Sequence, residues 1–276
     1  MWNRNSKDKL RIDYKSSKLS TWGEFAYRIR KVMSILYQLE RYTSIQGKNT
    51  LDVGCGYGPT AYCLSKKSNY VVAIDIDLDS IKDARRYVVK EIERIDFIQN
   101  VAENLALKNE KFDIVILIDV LEHVKSPEKA LKESVRVLKR DGLLYVEFNP
   151  YYSLAGSHLY EYTFLPVQLL PEKFVRSYVI AKRWNPFNPK KFKSKKEELA
   201  HKSFLLDVYS NLSRLTDRGF HRMVNNLGMK VLEERYTVSY PDKFELDLSP
   251  IKRLLGPLKE LAFSYQAILK KPDTIS

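Results

Sequence analysis

From Asn49 onward the chain alternates short apolar runs with amphipathic stretches. Thr50–Val53 reads as a strand, followed by a glycine turn and a helix from about Thr60 to Lys67. Val71–Ile74 reads as the next strand, Ser80–Ile92 as an amphipathic helix and Phe97–Gln99 as a short strand. Phe112–Ile118 is nearly unbroken in its apolar character, the pattern of a strand buried on both faces. A helix over Ser126–Leu138 carries a proline in its first turn, Gly142 ends it, and Leu143–Phe148 is the fifth strand. This alternation predicts right-handed crossovers and a parallel sheet.

The flanks differ from this core. Glu24–Tyr42 has apolar residues at Phe25, Ile29, Val32, Leu36 and Leu39, the spacing of one sticky helix face. Residues 151–215 break the rhythm with prolines, aromatics and lysines. It resumes at Asp217 with a helix to Asn226, a strand near Lys230–Thr237 and a last strand near Phe263–Leu269. Four regions are therefore expected: a helical arm (1–47), an α/β core (48–150), an insertion after the fifth strand (151–215) and a completion of the sheet (216–276).

Composition narrows the classes. An apolar content of 44% supports a sizeable core. Two cysteines, Cys55 and Cys63, cannot build a disulfide framework. They also lack the paired spacing of a zinc site, and only four histidines accompany them, so no metal is expected. Both read as reduced thiols of a cytoplasmic protein. Met1–Lys9 lacks an apolar secretory segment, and Ile114–Ile118, the longest apolar run, is far shorter than the roughly 20 residues of a membrane span.

The net charge of +13 is uneven. Residues 1–50 carry 11 Lys/Arg against 4 Asp/Glu and residues 151–215 carry 11 against 5, whereas residues 51–150 carry 15 against 17. Within the insertion, Lys182–Lys202 interleaves basic residues with Trp184, Phe187 and Phe192. Such a stretch suits either a solvated face or an anionic partner, nucleic acid included.

The most informative segment is Leu51-Asp52-Val53-Gly54-Cys55-Gly56-Tyr57-Gly58. Glycines between strand and helix let the backbone turn sharply and let a ligand approach closely. A phosphate loop would need a Gly-Lys-Ser/Thr ending, which is absent. A dinucleotide fingerprint needs glycine where Pro59 stands. The segment instead resembles the Asp-x-Gly-x-Gly-x-Gly loop of class I S-adenosylmethionine-dependent methyltransferases. Further segments match that family in order: Ala73-Ile74-Asp75-Ile76-Asp77, Val101-Ala102-Glu103-Asn104-Leu105, Ile118–Val124 and Leu138–Leu144. The pattern is most similar to the small-molecule branch that includes ubiquinone-biosynthesis-type enzymes.

The resemblance implies a doubly wound, mostly parallel, seven-stranded Rossmann-like sheet with the insertion as a lid, and S-adenosylmethionine as cofactor. It implies that Asp52, Gly54 and Gly56 face the methionine end, that Asp75 holds the ribose hydroxyls and that Ile76 packs on the adenine. Ala102 would offer its N–H to the ring. The family often has Asp where Val101 stands; either Glu103 substitutes for that acceptor or the contact is missing. Asp119 either touches the cofactor or caps the next turn.

On the acceptor side, Asn149-Pro150-Tyr151-Tyr152 looks like a nitrogen-methylation motif, but it follows the fifth strand and not the fourth, so it is discounted. His158 is the candidate general base, needed only if the acceptor must lose a proton. Tyr151, Tyr152, Tyr160 and Phe164 could line the pocket, and His123 reads as structural. The expected activity is methyl transfer to a small-molecule or lipid-like acceptor, at oxygen. An RNA methyltransferase and a non-catalytic cofactor-binding protein are the alternatives.

Overall fold

The computed structural model describes residues 22–88, 94–153, 155–159, 162–163, 167–182, 192, 194–240, 244–251 and 264–273. It divides into two compact units, Met1–Val101 and Ala102–Ser276. Tyr160, Phe164 and most of the basic stretch from Arg183 to Lys193 lie outside the described residues.

The first unit holds α1 (Trp22–Leu39), β1 (Asn49–Val53), α2 (Pro59–Ser65), β2 (Tyr70–Asp75), α3 (Leu78–Tyr87) and β3 (Ile95–Gln99). Its strands run parallel in the order β3-β2-β1, with Asp52 beside Ala73 and Asp75 beside Gln99. The alternation of apolar residues explains the burial. Leu51, Val53, Val71, Ala73, Ile74 and Phe97 are all inside. Pro59, the residue that spoils a dinucleotide fingerprint, opens α2, where its fixed φ and missing N–H cost nothing. Asp77 caps α3 by accepting from the Asp79 N–H at 3.3 Å and the Ser80 hydroxyl at 2.7 Å.

The second unit holds β4 (Phe112–Ile118), α4 (Pro127–Val137), β5 (Leu138–Phe148), α5 (Glu172–Ala181), α6 (Lys195–Asn211), α7 (Asp217–Asn226), β6 (Lys230–Tyr240), β7 (Phe244–Asp247) and β8 (Ser264–Lys270). The strand order is β4-β5-β8-β6-β7; β4 and β5 are parallel and the later pairings antiparallel. Two expectations are corrected. Among the described residues eight strands are present and not seven, because β7 adds a four-residue antiparallel arm to β6. The fifth strand begins at Leu138, five residues before the apolar run, through a register shift opposite Phe112 and Ile114. The α/β fold class itself stands.

The insertion builds its own apolar cluster from Leu159, Tyr162, Val175, Val179, Leu206 and Tyr209, among others. Lys202, counted above among the basic residues, is 4% exposed. Its ammonium donates to the carbonyls of Lys182 (2.6 Å) and Ile180 (3.3 Å) and pairs with Glu198 at 2.9 Å. That charge ties α6 to the end of α5 and does not face an anionic partner. No helix among the described residues is long and apolar enough to cross a membrane.

Candidate cofactor and acceptor site

In the first unit, the turn after β1 is shaped by three glycines at positive φ: Gly54 (74°), Gly56 (52°) and Gly58 (89°). Only glycine adopts this region without steric cost. The Gly54 and Cys55 N–H groups both donate to the Ile74 carbonyl at 2.8 Å, which fastens the turn to β2. The Asp75 carboxylate completes the clamp. Its Oδ2 accepts from the Gly56 N–H at 2.7 Å and its Oδ1 from the Asp77 N–H at 2.8 Å. A Cβ on Gly56 would meet no atom within 4 Å, so the loop borders open space there. Ile76 follows as a 68% exposed apolar side chain, a ledge that its own unit leaves uncovered.

Asp52 is 2% exposed, and its Oδ2 has no hydrogen-bond partner. Burial pushes its pKa up to about 8; the Ala61 backbone N–H works against that shift and the Asp75 charge adds to it. A raised folded-state pKa means that stability is fully present below the unfolded value, near 3.8, and is lost as pH rises through about 8. Asp52→Asn is therefore expected to match the parent near pH 4 and to exceed its unfolding free energy by a few kcal/mol, in order of magnitude, at pH 8. Urea titrations at several pH values test this; parallel curves would refute it.

Cys55 and Cys63 are free and buried. Burial raises both thiols, that of Cys63 to about 12, so neither is a ready nucleophile.

The second unit carries the remaining sequence-predicted residues. Ala102 begins it. The Glu103 carboxylate is engaged locally: Oε1 accepts from the Lys125 N–H at 2.9 Å and the Ser126 N–H at 3.4 Å, ahead of α4. Asp119 ends the stretch after β4 at φ 56°, with its N–H donating to the Glu147 carbonyl at 2.9 Å.

Glu122 is 2% exposed. Its Oε1 accepts from the Asn149 N–H (3.0 Å) and side-chain amide (3.1 Å), while Oε2 has no partner. Burial, then the Asp119 charge, raises its pKa. Its backbone carbonyl accepts from the Ser213 N–H at 2.8 Å, joining this turn to the segment after α6.

His158 lies in the turn after β5, at φ 56°. Its ring meets that of His123 edge-on, with centroids 4.8 Å apart. Its Nε2 is buried without a partner. Burial and the neighbouring His123 lower its pKa to about 4, against the pull of Asp119, so the imidazole is neutral at pH 7. Tyr151 is buried and packs edge-on against the half-exposed Tyr152.

Sequence reasoning set Glu122 and His123 aside as a family segment and a structural histidine. Their closeness to His158 was not legible, because 36 and 35 positions separate them from it and no spacing rule connects a turn after β4 with one after β5.

Comparison with known proteins agrees with these motifs. A methyltransferase domain family matches residues 51–146. Among curated relatives, a ubiquinone biosynthesis O-methyltransferase of Aliivibrio fischeri is 32% identical over 107 residues, covering 38% of this chain and 46% of the relative. The same-named enzyme of Actinobacillus pleuropneumoniae is 28% identical over 151 residues, covering 51% and 64%. The chain thus spans about half the length of the curated relatives it matches.

Solved structures share the fold. A magnesium protoporphyrin IX methyltransferase from Synechocystis, solved with bound SAH, aligns with a TM-score of 0.56 at 14% identity, covering 89% of this chain and 84% of that one. A Pyrococcus horikoshii protein aligns with a TM-score of 0.55 at 19% identity, covering 92% and 94%. Residues 51–146, which carry the glycine turn, the β2 carboxylate and the later segments in order, are thus the part of the chain that is similar to a methyltransferase domain, and the solved structures share its fold.

Proposed function

We propose that the chain transfers a methyl group from S-adenosylmethionine to the oxygen of a small-molecule or lipid-like acceptor. The observation that carries this reading is the turn after β1. It is pinned by the Asp75 carboxylate, borders open space at Gly56 and stands over a buried Asp52 with an unsatisfied oxygen. A cationic amine with donors to spare, such as the amino-acid end of the cofactor, fits an acidic group whose ionisation the apo protein opposes. The exposed Ile76 suits a flat ring, and Asp75, at the end of β2, suits a sugar diol.

When bound, the cofactor would supply a methyl group on a sulfonium, already activated toward a nucleophile. The protein's work is then orientation and proton handling. Asp52, Gly54 and Gly56 would hold the amino-acid end and Asp75 the ribose. For Ala102, Glu103 and Asp119, in the other unit, the adenine and adjoining contacts are assigned from the family resemblance alone. Much of the rate in such a displacement comes from holding the acceptor in line at about 3–3.5 Å. Residues 151–215 are assigned the acceptor side, with His158 as the group that handles the acceptor's proton and Tyr151 and Tyr152 as pocket walls. A neutral imidazole offers a lone pair, either to a proton or to a cation.

An oxygen acceptor is favoured by the names of the curated relatives, which are O-methyltransferases. The experiment is incubation of the chain with methyl-labelled S-adenosylmethionine and fractionated extract. Label is expected in an organic-soluble product carrying a methyl ether. Label in RNA, or in no product despite tight cofactor binding, would overturn the reading.

A further inference from the structure

We infer that Glu122, His123 and His158 form a binding site for one divalent transition-metal ion of the zinc class. The inference goes beyond methyl transfer and does not depend on it. One ligand atom from each of the three side chains lies within 4.8 Å of the others. The first two residues are adjacent in the turn after β4, and the third comes from the turn after β5.

Two features separate this cluster from a chance meeting of polar groups. Glu122 is 2% exposed, yet only one of its carboxylate oxygens is hydrogen-bonded; no Lys or Arg among the described residues pairs with it, and Oε2 is left without a partner. A buried carboxylate oxygen without a donor costs free energy that a bound cation would return. Independently, His158 also buries its Nε2 without a partner, on a residue held at φ 56°. A non-glycine residue in that region persists only where its surroundings impose it.

Local hydrogen bonds hold the surroundings. The His158 N–H donates to the Ala155 carbonyl at 2.8 Å. The Gly156 N–H donates to the Ser153 hydroxyl at 2.9 Å, and the Asn149 amide fixes Glu122 Oε1, leaving Oε2 for the ion. Second contacts of this kind orient metal ligands.

The donor set selects the ion. Two imidazoles and one carboxylate suit Zn²⁺, Co²⁺ or Mn²⁺ better than Mg²⁺ or Ca²⁺, which prefer all-oxygen shells. Three protein ligands leave a position open, as in catalytic zinc sites. His123 has exposed surface, so that side of the site is reachable. The chemical class of the open-position ligand is an oxygen donor: water, or a hydroxyl whose proton an adjacent Lewis acid makes easier to lose. With an ion bound, His158 serves as its ligand; without one, it keeps the proton-handling role proposed above.

The test uses the full chain stripped with chelator and then titrated calorimetrically with ZnCl₂, and separately with CoCl₂ while visible absorption is followed. One equivalent of Zn²⁺ is expected to bind, and Co²⁺ is expected to develop a ligand-field spectrum. Glu122→Gln keeps the size and the Asn149 contact, and His158→Gln keeps a polar side chain; each should weaken binding by about 100-fold or more. His221→Gln, elsewhere in the unit, should bind as the parent does. Circular dichroism confirms that each variant is folded. No stoichiometric binding by the stripped parent would overturn the site, and so would binding that survives both Glu122→Gln and His158→Gln.

Discussion

Asp75→Ala is expected to weaken S-adenosylmethionine binding by about 30- to 1,000-fold, equivalent to about 2–4 kcal/mol. Two losses combine. The first is internal: both carboxylate oxygens hold backbone N–H groups, Oδ2 that of Gly56 and Oδ1 that of Asp77. Hydrogen bonds to a charged acceptor are worth about 1.5–3 kcal/mol each, so the glycine turn loses the contact that fixes its position over the open space. The second is the proposed sugar contact. Asp75→Asn separates the two, since its amide keeps one acceptor oxygen but presents a donor where the other N–H arrives. It should fall between the parent and Asp75→Ala. Calorimetry on the three proteins measures this; an unchanged affinity in Asp75→Ala would remove Asp75 from the cofactor assignment.

The largest expected effect on stability is at Gly156. A Cβ there would stand 2.1 Å from the Pro150 carbonyl oxygen and 2.6 Å from that of Tyr151. Both obstacles are backbone and cannot swing aside. The Tyr151 N–H is already bound to the Leu215 carbonyl at 2.8 Å, and Ser153, with no exposed surface, takes the Gly156 N–H. Gly156→Ala should destabilise the chain by about 3 kcal/mol or more, a drop of roughly 6–12 °C in Tm for a chain of this size. Gly58 offers a contrast. There the obstructing atoms belong to the Phe97 ring, at 2.9 and 3.0 Å, which can yield, so most of the cost of Gly58→Ala is the strain of φ 89°. Thermal melts of the two variants should rank Gly156→Ala lower. Because Gly156 sits two residues before His158, its replacement should also weaken metal binding.

The contrast between these positions shows how much the chain announces in its sequence. Asp52, the three glycines and Asp75 sit on a local strand–turn–helix–strand unit whose geometry repeats across a family, so their places were legible from spacing. The parallel strands were legible from apolar runs such as Phe112–Ile118, and α4 from the Ser126-Pro127 start. Other features were not. β7 is four residues long, too short to show a period, and it exists because β6 extends to Tyr240 and offers it an edge. The early start of β5 over Leu138–Asp141 depends on pairing with β4, which local propensity does not encode. Lys202 reads as one more charge in a basic run, yet the carbonyls at the end of α5 draw it inside. Glu122, His123 and His158 were hardest of all, since only the tertiary fold brings the turns after β4 and β5 together.

The central claim is that the turn after β1 and the carboxylate ending β2 receive a nucleoside sulfonium. Titration calorimetry of the chain with S-adenosylmethionine, with ATP and NAD⁺ as competitors of similar nucleoside character, tests it most directly. Saturable binding of one equivalent of S-adenosylmethionine, lost in Asp75→Ala and undisturbed by either competitor, is the expected result. Absence of that binding, or tighter binding of a phosphate-bearing nucleotide at the same turn, would contradict it.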